Sequence, residues 1–229
     1  MKSALVVGNS DGIGLAVTRA LLAQGYAVAG ISRRMAPIEH AHYVHHVQDV
    51  AEPTYRDRLA DILACHPDLS VCIYCAGIGD RLDLGNLAFE TKVFQVNLMA
   101  AVTTTELVLG QMIRNDAGHF IGLSSIADVL TSATGPSYSA SKAGVSRYWE
   151  GLALALKGRN VKLTNVRFGF VDTKMAKSGS KPFMIPVEQA CSVVLHAMAK
   201  PRVRVTRPRV MGMLAWIMVV ATRLRIAVS

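Results

Sequence analysis

The chain has 229 residues, 51% of them hydrophobic, enough for one large core and in keeping with the size of a single α/β domain. Its formal charge of +9 is concentrated late: seven basic residues (Lys200, Arg202, Arg204, Arg207, Arg209, Arg223 and Arg225) fall from Lys200 onward, and no acid follows Glu188. A basic excess confined to a tail, with no aromatic-rich basic face, excludes a nucleic-acid reader, and four scattered cysteines exclude a disulfide framework.

The opening MKSALVVG lacks the long apolar stretch and small-residue cleavage site of a leader, so a cytoplasmic setting is expected. In chain order, residues 3–8 read as a β-branched-rich strand and residues 13–24 as a helix that stops at Gly25. Strands are expected at 27–32 and 43–48, a helix over 53–66 with Pro53 in its first turn, and a strand at 71–75. A long helix over 89–114, a strand at 119–124, a helix over 137–156, a strand at 161–168, a helix over 187–200 and a last strand at 202–206 follow. Strands alternating with crossover helices predict one doubly wound, mostly parallel sheet of about seven strands with helices on both faces, a Rossmann-type α/β domain over residues 1–206. Residues 207–229 are an apolar, basic tail.

Two clusters suggest metal or redox chemistry, and local geometry argues against both. Cys72 and Cys75 make a C-x-x-C, but on a buried strand positions three apart point to opposite faces, so they neither chelate nor bridge. His40, His42, His45 and His46 have no carboxylate or cysteine at ligand spacing, so a solvated loop and strand edge is expected and no metal is assigned.

Gly8, Gly12 and Gly14 lie between the first strand and the first helix, in "GNSDGIG". Such a turn lets backbone approach a diphosphate, and the helix N-terminus favours its charge. The spacing is not the common G-x-G-x-x-G, so the turn alone is weak evidence. Tyr138 and Lys142 stand four apart in "SYSASK", on one face of a helix, where the ammonium is expected to draw the phenol's pKa down toward working pH and make it a general acid/base. Chance placement of a Tyr and a Lys is not excluded by spacing alone.

In combination the motifs resemble the short-chain dehydrogenase/reductase family from about residue 2 to residue 206. They occur in the family's order: "GNSDGIG", "CAG", "VNLMA", "LSSIAD", "YSASK" and "RFGFVDT". The resemblance implies an NAD(P)-dependent oxidoreductase. Tyr138 would be the acid/base, Lys142 its partner and a ribose ligand, Ser125 a hydrogen-bond donor to the substrate oxygen and Asn97 the residue that completes a proton relay. It further implies cofactor contacts at Gly8, Asn9, Ser10, Gly12, Ile13 and Gly14, at Ser32, Arg33 and Arg34, at Asp49 and Val50, at Cys75, Ala76 and Gly77, at Tyr138 and Lys142, and at Gly169, Val171 and Thr173. Ser32 stands where NAD-preferring relatives carry an acid, and Arg33 and Arg34 suit a 2′-phosphate, so NADP(H) is expected over NAD(H). Asp11 departs from the basic residue common there in NADP-using relatives. Cys75 replaces the usual asparagine of "NAG", and Phe168 the usual proline of "PG".

The expected substrate is a small carbonyl or alcohol, hydrophobic in character, in a pocket shaped by residues 126–135 and 174–185, with 174–183 as a lid. The resemblance implies homodimers or homotetramers built on the long helices. The apolar run 210–221 would be about 18 Å long as a helix, too short to span a bilayer. Packing, dimerisation, peripheral membrane contact and disorder all stay open for it. The alternative to an enzyme is a catalytically silent nucleotide-binding regulator whose tail engages a partner or a membrane.

Overall fold

The structure, a computed structural model, describes residues 1–176 and 181–213 together with 217 and 219. The strands are β1 (Ser3–Val7), β2 (Ala27–Ser32), β3 (Tyr43–Val47), β4 (Leu69–Tyr74), β5 (Gly118–Ser125), β6 (Val161–Phe168) and β7 (Arg204–Arg207). The main helices are α1 (Gly12–Ala23), α2 (Tyr55–Ala64), α3 (Ala88–Phe94), α4 (Ala100–Arg114), α5 (Pro136–Ala155) and α6 (Val187–Ala199). The strands form one parallel sheet in the order β3-β2-β1-β4-β5-β6-β7. The order reverses between β1 and β4, where Val7 is flanked by Ile31 and Tyr74. In an open α/β sheet that switch point opens a crevice beyond the strands' carboxyl ends.

Two apolar layers sandwich the sheet. One joins Leu5, Leu59, Val108, Phe120 and Trp149, and the other joins Val6, Val17, Leu21, Ile121 and Val194. Alternate residues of one strand thus feed opposite cores, as buried parallel strands require. Trp149 anchors the first core: its indole N–H donates to Thr105 Oγ1 at 2.9 Å, and a Cβ on Gly122 would stand 2.3 Å from its ring. Cys72 belongs to one core and Cys75 packs against the other, as strand alternation predicts.

Among the departures from the expected elements, three stand out. The second helix starts at Tyr55, not Pro53, because Asp49 holds a tight turn ahead of it, accepting at Oδ1 from Ala51 N at 3.0 Å. The long helix is interrupted by a π-helical turn, Gln95–Met99, between α3 and α4. The last strand runs Arg204–Arg207, in register with Asn165–Phe168 of β6. Residues 88–114 are long and apolar enough to cross a bilayer, but half of their most apolar window is buried in the fold, which marks a core helix. At the start of the tail Met211 is buried against Ile126, Val129 and Val210. Most of the run 210–221 lies outside the described residues, as do 177–180 of the expected lid.

Candidate active site

The crevice at the switch point is a cavity of about 760 Å³. Its walls include the glycine turn, the 32–34 loop, Asp49 and Val50, residues 75–79, Ser125, Tyr138, Lys142 and residues 168–171 and 173–176. The backbone geometry explains the glycines. Gly8 has φ +87° and a Cβ there would lie 2.5 Å from Ala76 N, while a Cβ on Gly14 would lie 2.1 Å from Gly8 O. No side chain fits at either place, so the turn folds tightly under the first turn of α1 and leaves that helix terminus facing the cavity.

Asp11 caps α1, accepting from Gly12 N at 2.8 Å. Its other oxygen is 2.7 Å from Lys174 Nζ and 4.0 Å from Arg34 Nη2. The Lys174 contact, followed by the Gly12 N–H, holds its carboxyl below the usual range. An acid that would repel a phosphate is therefore compensated by two cations bordering the same cavity.

At the other end of the cavity, β5 delivers Ser125 and α5 delivers Tyr138 and Lys142. Ser125 Oγ accepts from Ala127 N at 3.1 Å in the short 3₁₀ turn Ile126–Val129, which leaves its proton to point elsewhere. The Ser125 hydroxyl also acts on the Tyr138 phenol, favouring its ionised form. The Tyr138 ring packs on Gly79, where a Cβ would come within 2.7 Å of it. Lys142 Nζ lies 5.9 Å from the centre of the Tyr138 ring and donates to Leu123 O at 3.1 Å.

The electrostatics differ from the expectation at one point. Burial pushes the Tyr138 phenol up, with the Ser125 hydroxyl opposing it, and Lys142 does not reverse this. Lys142 is itself pushed down to about 8 by burial, against the pull of Cys75 and Asp128. The desolvation that makes the pair responsive thus moves both groups toward their neutral forms. Because the unfolded ammonium titrates near its ordinary 10.5, the burial penalty is complete below about 8 and vanishes above about 10.5. Stability of the wild type relative to Lys142→Met is therefore expected to rise across that window, measured by urea unfolding of both proteins at its two ends.

Two expected site residues lie behind the wall. Asn97 sits in the π-helical turn, where the widened backbone turns its amide inward. It accepts from Ile78 N and donates to Ile78 O, each at 2.8 Å, and donates to Ser141 Oγ at 3.2 Å. It fixes the segment that borders Lys142 and Tyr138. Asn9 is wholly buried and turned toward β3, its amide nitrogen 2.6 Å from Tyr43 OH. Cys75 borders the cavity with its thiol pushed up to about 12 by burial, so it stays neutral.

Two features were not foreseen. Asp128, in the turn after Ser125, forms a buried ion pair with Arg167 of β6. His45 and His46 are half-buried, not solvated, and His45 is hydrogen-bonded to Tyr43 and Ser32. No group of metal-ligating side chains occurs among the described residues.

The residues present suit a dinucleotide: a glycine cradle without Cβ atoms, a helix N-terminus, arginines at one end, and Ser125 and Tyr138 at the other. Comparison with known proteins agrees. The family model for short chain dehydrogenases matches residues 2–182. A human relative, dehydrogenase/reductase SDR family member 11, is 33% identical over 195 residues, covering 76% of this chain and 74% of its own. A short chain dehydrogenase from Burkholderia cenocepacia, solved in complex with NADP, superimposes with a TM-score of 0.86 at 22% identity, covering 99% of this chain and 98% of its own. One from Burkholderia phymatum, in complex with NAD, gives 0.84 at 18% identity, covering 98% and 95%.

Proposed function

Because this chain belongs to the short-chain dehydrogenase family, we propose that it is an NADP(H)-dependent oxidoreductase that interconverts a hydrophobic carbonyl compound and its alcohol, with Tyr138 as acid/base. The convergence of Ser125, Tyr138 and Lys142 at one end of the cavity is the observation that carries this reading. The bound cofactor supplies or accepts the hydride. Tyr138 gives its proton to the carbonyl oxygen in the reductive direction and recovers it in the oxidative one. Ser125 donates to the same oxygen, stabilising charge as it develops, since its own oxygen is already held by Ala127 N. Lys142 steadies the phenolate that remains, and Asn97 holds the Ile78 backbone beside it. Ile78, Ile126, Leu130, Phe170 and Met175 on the wall support an apolar substrate.

The preference for NADP(H) is supported by Arg33 and Arg34 at the cavity edge, by the absence of an acid at Ser32, and by compensation of Asp11 through Lys174 and Arg34. NADPH and NADH titrated in parallel test it. NADPH is expected to bind more tightly, and Arg33→Ala to weaken NADPH about tenfold or more while leaving NADH unchanged. Equal or NADH-favouring affinity would overturn the preference, and binding of neither would favour a silent regulator.

For assembly we infer a homodimer or homotetramer along α3, α4 and α5, supported by outward-facing Phe94, Met99 and Leu154. The four cysteines are all free, in keeping with a cytoplasmic setting. Residues 1–206 form the catalytic domain and 207–229 its tail in this reading.

A further inference from the structure

Beside the arginine-bearing loop lies a line of polar side chains that the proposed chemistry does not use. Tyr43 and His45 alternate on β3 and so share a face, in register with Val28 and Gly30 of β2. Asn9 Nδ2 is 2.6 Å from Tyr43 OH, Tyr43 OH is 2.7 Å from His45 Nδ1, His45 Nε2 is 3.4 Å from Ser32 Oγ, and Ser32 Oγ is 2.8 Å from Arg34 O.

The protons in this chain can be assigned from its end. A carbonyl only accepts, so the Ser32 hydroxyl donates to Arg34 O and its oxygen receives the His45 Nε2 proton. His45 then accepts at Nδ1 from the Tyr43 phenol, whose oxygen receives the Asn9 amide proton. Every link runs in one direction, from the glycine turn to the loop carrying Arg33 and Arg34. Burial pushes His45 below its ordinary range, which keeps it in the neutral form the line needs. The backbone makes room for the arrangement: a Cβ on Gly30 would stand 2.0 Å from Asn9 Nδ2 and 2.7 Å from Tyr43 OH.

We propose that Tyr43 and His45 are positioning residues for cofactor choice: through Ser32 they fix the turn from which Arg33 and Arg34 reach the cavity edge, and they tie it to the glycine turn through Asn9. The inference rests on the reading that these arginines receive the 2′-phosphate. Ser32's proton is committed to Arg34 O, so discrimination between the two cofactors falls to the arginines and to the shape of the turn that carries them.

Fluorescence titrations of NADPH and NADH against wild type, Tyr43→Phe, His45→Phe and His45→Gln test this, with Tm recorded for each. His45→Phe and Tyr43→Phe are expected to weaken NADPH about tenfold and leave NADH within about twofold, the loss of one or two ordering hydrogen bonds. His45→Gln, which keeps a donor for Ser32, is expected to recover part of the loss. A wild type that prefers NADPH while the variants keep its selectivity ratio would overturn the inference alone, as would an equal loss of both cofactors in step with Tm. A wild type without NADPH preference would overturn the cofactor reading beneath it, and this inference with it.

Discussion

Tyr138→Phe is expected to lower carbonyl turnover by about a thousandfold while NADPH binding is retained, because the removed hydroxyl is the proposed proton donor. The ring itself packs on Gly79, and phenylalanine preserves that contact, so folding should not suffer. Ser125→Ala should cost about a hundredfold, since it deletes one donor to the developing charge but leaves the proton source. The two losses should not add, because the Ser125 hydroxyl also works against the rise that burial imposes on the Tyr138 phenol. Kinetics on a reducible ketone, with cofactor occupancy measured separately, distinguish a chemical defect from a binding one.

The largest stability effect is expected at the ion pair between Asp128 and Arg167. Their side chains are only 5% and 8% exposed, so each charge depends chiefly on the other, with Glu150 and Arg204 acting through space, for the solvation it has lost. Asp128→Asn removes the guanidinium's ion-pair partner and leaves it only the Glu150 carboxylate, which interacts with it through space, so a loss of about 3 kcal/mol is expected, or on the order of 10 °C in Tm. Replacing both partners, as in Asp128→Asn with Arg167→Met, should recover most of that loss, because the pair is imperfectly satisfied: Arg167 Nε is buried and finds no hydrogen-bond partner among the described residues. Thermal unfolding of the single and double variants checks both statements. Asp128 follows Ser125 in the same 3₁₀ turn, and Arg167 pairs in register with Ser124, so the ion pair also ties the Ser125 segment to β6.

Much of this architecture was legible in the sequence. Apolar runs separated by helical periodicity identified all seven strands of the sheet, since buried parallel strands leave a strong hydrophobic signal. The opposite facing of Cys72 and Cys75 followed from strand geometry alone. The pairing of Tyr138 with Lys142 followed from helical spacing, and the glycine turn from its place between strand and helix. The π-helical turn that directs Asn97 inward had no such signal, because its composition is that of an ordinary helix. Long-range polar pairs were equally hidden. Asp11 meets Lys174, Asp128 meets Arg167, and Asn9 meets Tyr43 only once the sheet order brings distant segments together. His45 reads as a solvated residue in sequence because nothing local shows that β2 and the glycine turn cover one side of it. The direction of the Tyr138 shift was missed for a related reason: spacing reveals the neighbouring ammonium but not the burial that outweighs it.

The most direct test of the account is NADPH-dependent reduction of a panel of hydrophobic ketones and aldehydes by wild type and Tyr138→Phe at equal cofactor occupancy. The account predicts turnover by the wild type and a loss of about a thousandfold in the variant at equal NADPH occupancy. A wild type that binds NADPH yet reduces none of the panel, or a variant as fast as the wild type, would contradict it.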